Sequence, residues 1–153
     1  MADAPAIQET LSAPHVLEYP FHRSVGPVIG RFFGGLRDRK IEGVRTSDGK
    51  VLVPPTEYDP ITSEELSEFV EVGTSGKVVT WAWVNSPRKK HPLDKPFAWA
   101  LVRLDGADTA LLHAVDAGDE SKMSTGMRVS VRWKDETEGD IHDIVCFEPE
   151  ASS

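Results

Sequence analysis

Val78-Val79-Thr80-Trp81-Ala82-Trp83-Val84, the polar insert Asn85 to Pro96, and then Phe97-Ala98-Trp99-Ala100-Leu101-Val102 decide the fold of this chain. Both apolar runs have the two-residue period of strands, and both faces are apolar, as expected of central strands. Thr109 to Val115, behind the turn Asp105-Gly106-Ala107-Asp108, completes a hairpin with the second run. Met127, Val129, Val131 and Trp133 alternate with Arg128, Ser130, Arg132 and Lys134, which predicts a half-buried strand with a basic outer face. A last strand is expected over Ile141 to Phe147. Five short strands at this spacing predict a small closed barrel, and the OB-fold is the five-stranded choice.

Upstream of the barrel, Val25, Val28, Ile29, Phe32, Phe33 and Leu36 recur at three-and-four spacing, which predicts an amphipathic helix with Ser24 as its cap. Gly30, Gly34 and Gly35 weaken that helix, so packing must stabilise it. Phe32, Phe33 and Leu36 are either intramolecular core or interface anchors, and the glycines favour an interface, with Val28, Ile29, Phe32, Phe33, Leu36 and Arg37 as its residues. Residues 1–24 contain Pro5, Pro14 and Pro20 without a hydrophobic period and read as an extended arm, in which His15 and His22 are candidate partner contacts. Residues 25–68 form the helix and the segment after it, 69–149 the barrel, and 150–153 a tail.

The segment from Arg45 to Thr62 has the outline of a zinc ribbon without cysteines. Tetrahedral zinc needs four ligands on two knuckles, and those places hold Arg45, Asp48, Asp59 and Thr62. Arginine cannot ligate and threonine ligates poorly, so no metal is expected. Two short strands, Ile41 to Arg45 and Lys50 to Val53, flank the turn Ser47-Asp48-Gly49. Thr62-Ser63-Glu64-Glu65 has the form of a capping box and predicts a short helix through Glu68.

Composition narrows the function. The 153 residues carry 17 Lys and Arg against 25 Asp and Glu, a formal net charge of −8, which disfavours a phosphate backbone as partner. The start Met1-Ala2-Asp3-Ala4-Pro5 has no leader-like pattern, and a cytoplasmic protein off the membrane is expected. Cys146 is the single cysteine, expected buried and inert in a strand. Gly73-Thr74-Ser75-Gly76-Lys77 imitates a phosphate loop, but Glu71 and Val78 stand where glycine and a hydroxyl residue are required, so it is a turn. His15, His22, His91, His113 and His142 are too dispersed for a metal set. Strand alternation also sends Asp143 away from His142 and Cys146.

Arg88-Lys89-Lys90-His91 is the one dense basic run. It is either a solvated loop or a site for the phosphates of coenzyme A. Trp81, Trp83, Trp99 and Trp133 are either core residues or stacking platforms for single-stranded nucleic acid, as OB-folds often provide. Net charge favours core.

The order of these parts resembles a known family. The Phe32-Phe33-x-x-Leu36 helix, the ribbon ending in Val53-Pro54-Pro55, Gly73-x-x-Gly76-Lys77-Val78, Gly126-Met127-x-Val129 and Phe147-Glu148-Pro149 are similar to the zinc-ribbon plus OB-fold proteins called domain of unknown function family thirty-five. Asp59-Pro60 keeps the proline that follows the third cysteine there. The resemblance spans about residues 25–149. It implies a mainly β protein, a five-stranded OB-fold barrel preceded by a helix and a rubredoxin-like ribbon remnant without metal. It implies a non-catalytic accessory subunit docked on a thiolase-like acyl-CoA enzyme: a thiolase, an acyltransferase or a retro-aldol lyase of steroid side-chain breakdown. Acyl-CoA is then the shared ligand, with Arg88, Lys89 and Lys90 as the residues for its phosphates. The competing expectation is a free-standing OB-fold binder of single-stranded nucleic acid.

Overall fold

The computed structural model describes residues 10–22 and 24–151. Residues 10–22 form no helix or strand and are exposed, and residues 1–9 and 23 of the predicted arm lie outside the described residues. Helix α1 spans Gly26–Arg37 with Pro27 in its first turn, where the missing N–H costs nothing. Val25, rather than Ser24, occupies the cap position, and Ser24 Oγ accepts only a long 3.4 Å contact from the Gly26 N–H. Val28, Phe32 and Leu36 are buried at four-residue spacing. The helix closes through Arg39, whose φ of 58° is in the left-handed region usually given to glycine. Arg39 offsets that strain by donating from its guanidinium to the carbonyls of Lys134 (3.3 Å) and Asp135 (3.1 Å).

Three strands follow in the order β2-β1-β3: β1 Ile41–Arg45, β2 Val51–Leu52 and β3 Phe69–Val72, both outer strands antiparallel to β1. The turn between β1 and β2 lies where the sequence places it, with Gly49 at φ 85°. No helix forms after Thr62, contrary to the capping-box expectation. The backbone groups a helix needs are already used. Asp59 Oδ1 accepts from the N–H of Ile61 and Thr62, the Ser63 N–H donates to Asp59 O, and the Leu66 N–H donates to Glu57 O. The chain therefore doubles back, with Ser63 at φ 62°.

The barrel consists of β4 Ser75–Val84, β5 Phe97–Leu104, β6 Leu111–Val115, β7 Arg128–Trp133 and β8 Ile144–Pro149. Its order is β4-β5-β6-β8-β7, closed by β7 on β4, with β6 and β8 parallel and every other pair antiparallel. This closed five-stranded mixed barrel is the predicted OB-fold. Along β4 the sequence alternation is interrupted by a bulge between Val78 and Thr80. Val78 faces inward before it and Trp81 and Trp83 pack against the core after it, while Val79 is left 44 % exposed. One extra residue thus reverses the face parity of the strand. Residues 141–143 form a 3-10 turn instead of strand, so β8 begins only at Ile144.

A single hydrophobic cluster joins barrel residues Val78, Ala100, Val102, Val129 and Phe147 to Phe32, Leu36, Ile41 and Val53. Helix, small sheet and barrel therefore share one core. No helix among the described residues is long and apolar enough to cross a membrane.

The β7–β8 loop is organised by Asp143, which is fully buried. Its carboxylate accepts from the N–H groups of Glu138 (2.8 Å), Gly139 (2.7 Å) and Asp140 (3.1 Å). Burial alone pushes this carboxyl up, but the three donors outweigh it and hold it below the usual carboxylate range. Asp143→Asn preserves volume and sacrifices charge-assisted bonds, and should destabilise the fold by about 2–3 kcal/mol. The measurement is the urea midpoint at unchanged m-value. Because the folded carboxyl is the stronger acid, its contribution is complete above the unfolded value of about 4 and disappears as pH falls through the folded value. The variant should accordingly show a shallower acid loss of stability than the parent. At Gly76 a Cβ would lie 2.3 Å from the Arg103 carbonyl oxygen of the paired strand. Gly76→Ala should cost about 2 kcal/mol or more by forcing β4 from β5, read as a lowered thermal midpoint.

Candidate binding face

The β4–β5 loop, residues 85–96, and the β7–β8 loop, residues 134–143, rise over the same side of the barrel. Each is tied down separately. In the first, Lys95 pairs with Asp116 at 2.8 Å, and Asp116 also meets Arg132 at 3.1 Å. Burial raises the Asp116 carboxyl, yet the two cations outweigh it and leave it lowered. His91 closes the loop: its N–H donates to Arg88 O, and its Nδ1 accepts from the Arg88 N–H at 3.2 Å. The imidazole also stands edge-on to Phe97 and Trp99, with centroids 5.6 and 6.3 Å away.

Arg88, Lys89 and Lys90 project from this loop, exposed, and form no ion pair among the described residues. Arg88 and Lys89 line a cavity of about 420 Å³ together with Pro87, His91, Pro92, Leu93 and Asp94. Lys90 faces a neighbouring groove of about 640 Å³, bounded by the two loops and the outer side of β5, β6 and β8. The strands β5 and β6 and these two loops are the surfaces with which OB-folds generally hold ligands.

Leu112, Ile141 and Ile144 in the groove carry no site signal in the sequence, and His113 stands there only among the dispersed histidines. They come from separate segments, and only the parallel pairing of β6 with β8 brings them together. Trp99 borders the groove, whereas Trp81, Trp83 and Trp133 pack against the main core.

The predicted partner helix is turned mainly into its own chain. Val28, Phe32 and Leu36 are buried, Ile29 and Phe33 are half-buried, and Arg37 is exposed. A Cβ at Gly30 or Gly34 would meet nothing within 4 Å. His15 and His22 lie exposed on the arm.

Cys146 is buried, and desolvation pushes its thiol up to about 11, which keeps it protonated near neutral pH. Its separation from Asp143 by strand alternation does not apply, because Asp143 and His142 belong to the 3-10 turn. Among the described residues no three His, Cys, Asp or Glu side chains are gathered as metal ligands. Two of the four ribbon positions bind charged neighbours: Arg45 pairs with Glu68 at 2.8 Å and Asp48 with Lys50 at 2.7 Å. Asp59 caps the following turn and Thr62 Oγ1 donates to Glu64 at 3.2 Å.

Residues 69–134 match the model of the ChsH2 C-terminal OB-fold domain. Over 120 residues the chain is 25% identical to a DUF35 domain-containing scaffold protein of Pyrococcus furiosus, covering 78% of this chain and 88% of that one. Its fold is similar to a chain of the Ltp2–ChsH2(DUF35) aldolase, with a TM-score of 0.63 and 21% identity over 84% of this chain and 98% of that chain. It is also similar to a DUF35-family protein of unknown function from Sulfolobus solfataricus, with a TM-score of 0.61 and 20% identity over 82% and 85% of the two chains. The domain match falls on the barrel and the scaffold likeness extends well beyond it, so the chain carries an OB-fold barrel similar to that of DUF35 proteins.

Proposed function

We propose that this chain is an accessory scaffold subunit of an aldolase or thiolase-like enzyme, docking on a catalytic chain that supplies the reacting groups. The observation that carries the reading is the likeness to the Pyrococcus scaffold protein across most of both chains. The aldolase whose name joins Ltp2 to ChsH2(DUF35) supplies the analogy for a catalytic partner. The ribbon-like segment serves as docking surface without metal.

The finer reading is that the substrate is an acyl-CoA ester, in a thiolase, acyltransferase or retro-aldol reaction that includes steroid side-chain cleavage. Arg88 and Lys89 beside the smaller cavity, with Lys90 next to them, support it. Three loop cations that form no ion pair among the described residues suit the clustered phosphates of coenzyme A, and arginine adds bidentate geometry.

Co-expression with a thiolase-like catalytic chain from the same genome should yield a stable hetero-oligomer by size exclusion with light scattering, and activity on acyl-CoA esters that neither chain shows alone. Changing Arg88, Lys89 and Lys90 together to Gln should raise the KM for the ester about tenfold, equivalent to one lost charged contact of about 1.4 kcal/mol, with kcat preserved. An unchanged KM would remove coenzyme A from the loop while leaving the scaffold reading intact.

A further inference from the structure

We propose that the larger groove binds a small amphipathic monoanion: an apolar body carrying one carboxylate. The groove volume of about 640 Å³ lies within the range of small-molecule sites, about 300–1,000 Å³. Its walls are Trp99, Leu112, Ile141, Ile144 and Val145. Leu112 is 60 % exposed in the middle of a strand pairing, so it presents aliphatic surface to the groove rather than to the core.

Charge selects the head group. The chain has 25 acidic residues against 17 basic ones, yet no Asp or Glu lines this groove, whereas Lys90 and Lys134 do. Lys134 is paired with Glu138 at 3.1 Å, and His142 is bonded to Asp140. Lys90 is therefore the lining lysine without an ion pair among the described residues, which matches a single negative charge better than a polyphosphate. A nucleic-acid strand would require successive aromatic platforms, and Trp99 is the one Trp, Tyr or Phe side chain on the lining. His113 closes the floor: it is 7 % exposed and stands edge-on to Phe147, with ring centroids 5.8 Å apart. This inference is independent of the catalytic partner.

The test uses the full purified chain with 2-naphthoate as probe, 2-naphthylmethanol as its neutral match, and a thymidine oligonucleotide, followed by equilibrium dialysis and tryptophan fluorescence. Naphthoate should bind saturably, one per chain, with a dissociation constant below about 1 mM. The neutral alcohol should bind about fivefold or more weakly, because it forgoes the charged contact. Leu112→Glu places an acid on an exposed wall position and should weaken naphthoate about tenfold or more through charge repulsion and desolvation, with an unchanged circular dichroism spectrum and melting temperature. Lys90→Glu should weaken the acid selectively and leave the alcohol unaffected. Non-saturable naphthoate uptake, equal affinity of the parent and Leu112→Glu, or an oligonucleotide bound more tightly than naphthoate would each overturn the proposal. Lys90 belongs to both readings, so Leu112, which is outside the basic loop, separates this proposal from the KM prediction, and Arg88 and Lys89, which face the smaller cavity, separate that prediction from this one.

Discussion

The carboxylate of Asp143 is the interaction on which the binding side of this molecule depends. A buried anion is costly unless it is fully hydrogen-bonded, and here three consecutive backbone N–H groups surround it. The same residue contributes its carbonyl to the Lys134 N–H. Both ends of the β7–β8 loop are thereby drawn to one point, which sets Lys134, Ile141 and His142 along the groove edge. Helix α1 braces the loop from outside, because Thr137 Oγ1 donates to the Arg37 carbonyl at 2.6 Å and Arg39 reaches Lys134 and Asp135. The helix's stability and the loop's geometry are one problem.

The opposite loop solves a different one. Lys95 and Arg132 neutralise Asp116, whose side chain is only 8 % exposed, and so anchor the base of the β4–β5 loop. The cations at the tip are left out of that network. Coulomb attraction between exposed side chains is small at ordinary ionic strength, so these tip charges contribute little to folding. Barrel stability therefore does not account for their place on a strongly acidic chain.

Much of the barrel was legible because strand period and turn chemistry are local. Phe97 to Val102 and Thr109 to Val115 could be paired from the glycine-containing turn alone. The bulge at Val79 was not, since two β-branched residues in succession fit either register, and closure of β4 on β5 selects between them. The failed helix after Thr62 has a comparable cause. Threonine followed by glutamate satisfies a cap locally, but Asp59 and Glu57 offer competing backbone partners from upstream. The basic loop was visible as a charge run, whereas the groove required the β6–β8 pairing, a contact between residues more than thirty positions apart. Helix α1 was correctly placed by its period, but period cannot distinguish a stripe that faces a partner from one buried at home.

The segment from Arg45 to Thr62 depends on the barrel. An exposed pair such as Arg45–Glu68 contributes only about 0–1 kcal/mol. Stronger restraint comes from the turn after β5. The Val51 N–H donates to Asp108 Oδ2 at 2.8 Å and its carbonyl accepts from the Asp108 N–H, while Thr109 Oγ1 both accepts from the Val53 N–H at 2.7 Å and donates to the Val53 carbonyl at 3.0 Å. Val51 and Val53 bury their side chains in the shared core beside these bonds. The turn joining β5 and β6 thus clamps β2 as an additional strand would. A segment held in this way has no independent fold, and it presents its outer surface only as long as the barrel beneath it stays closed.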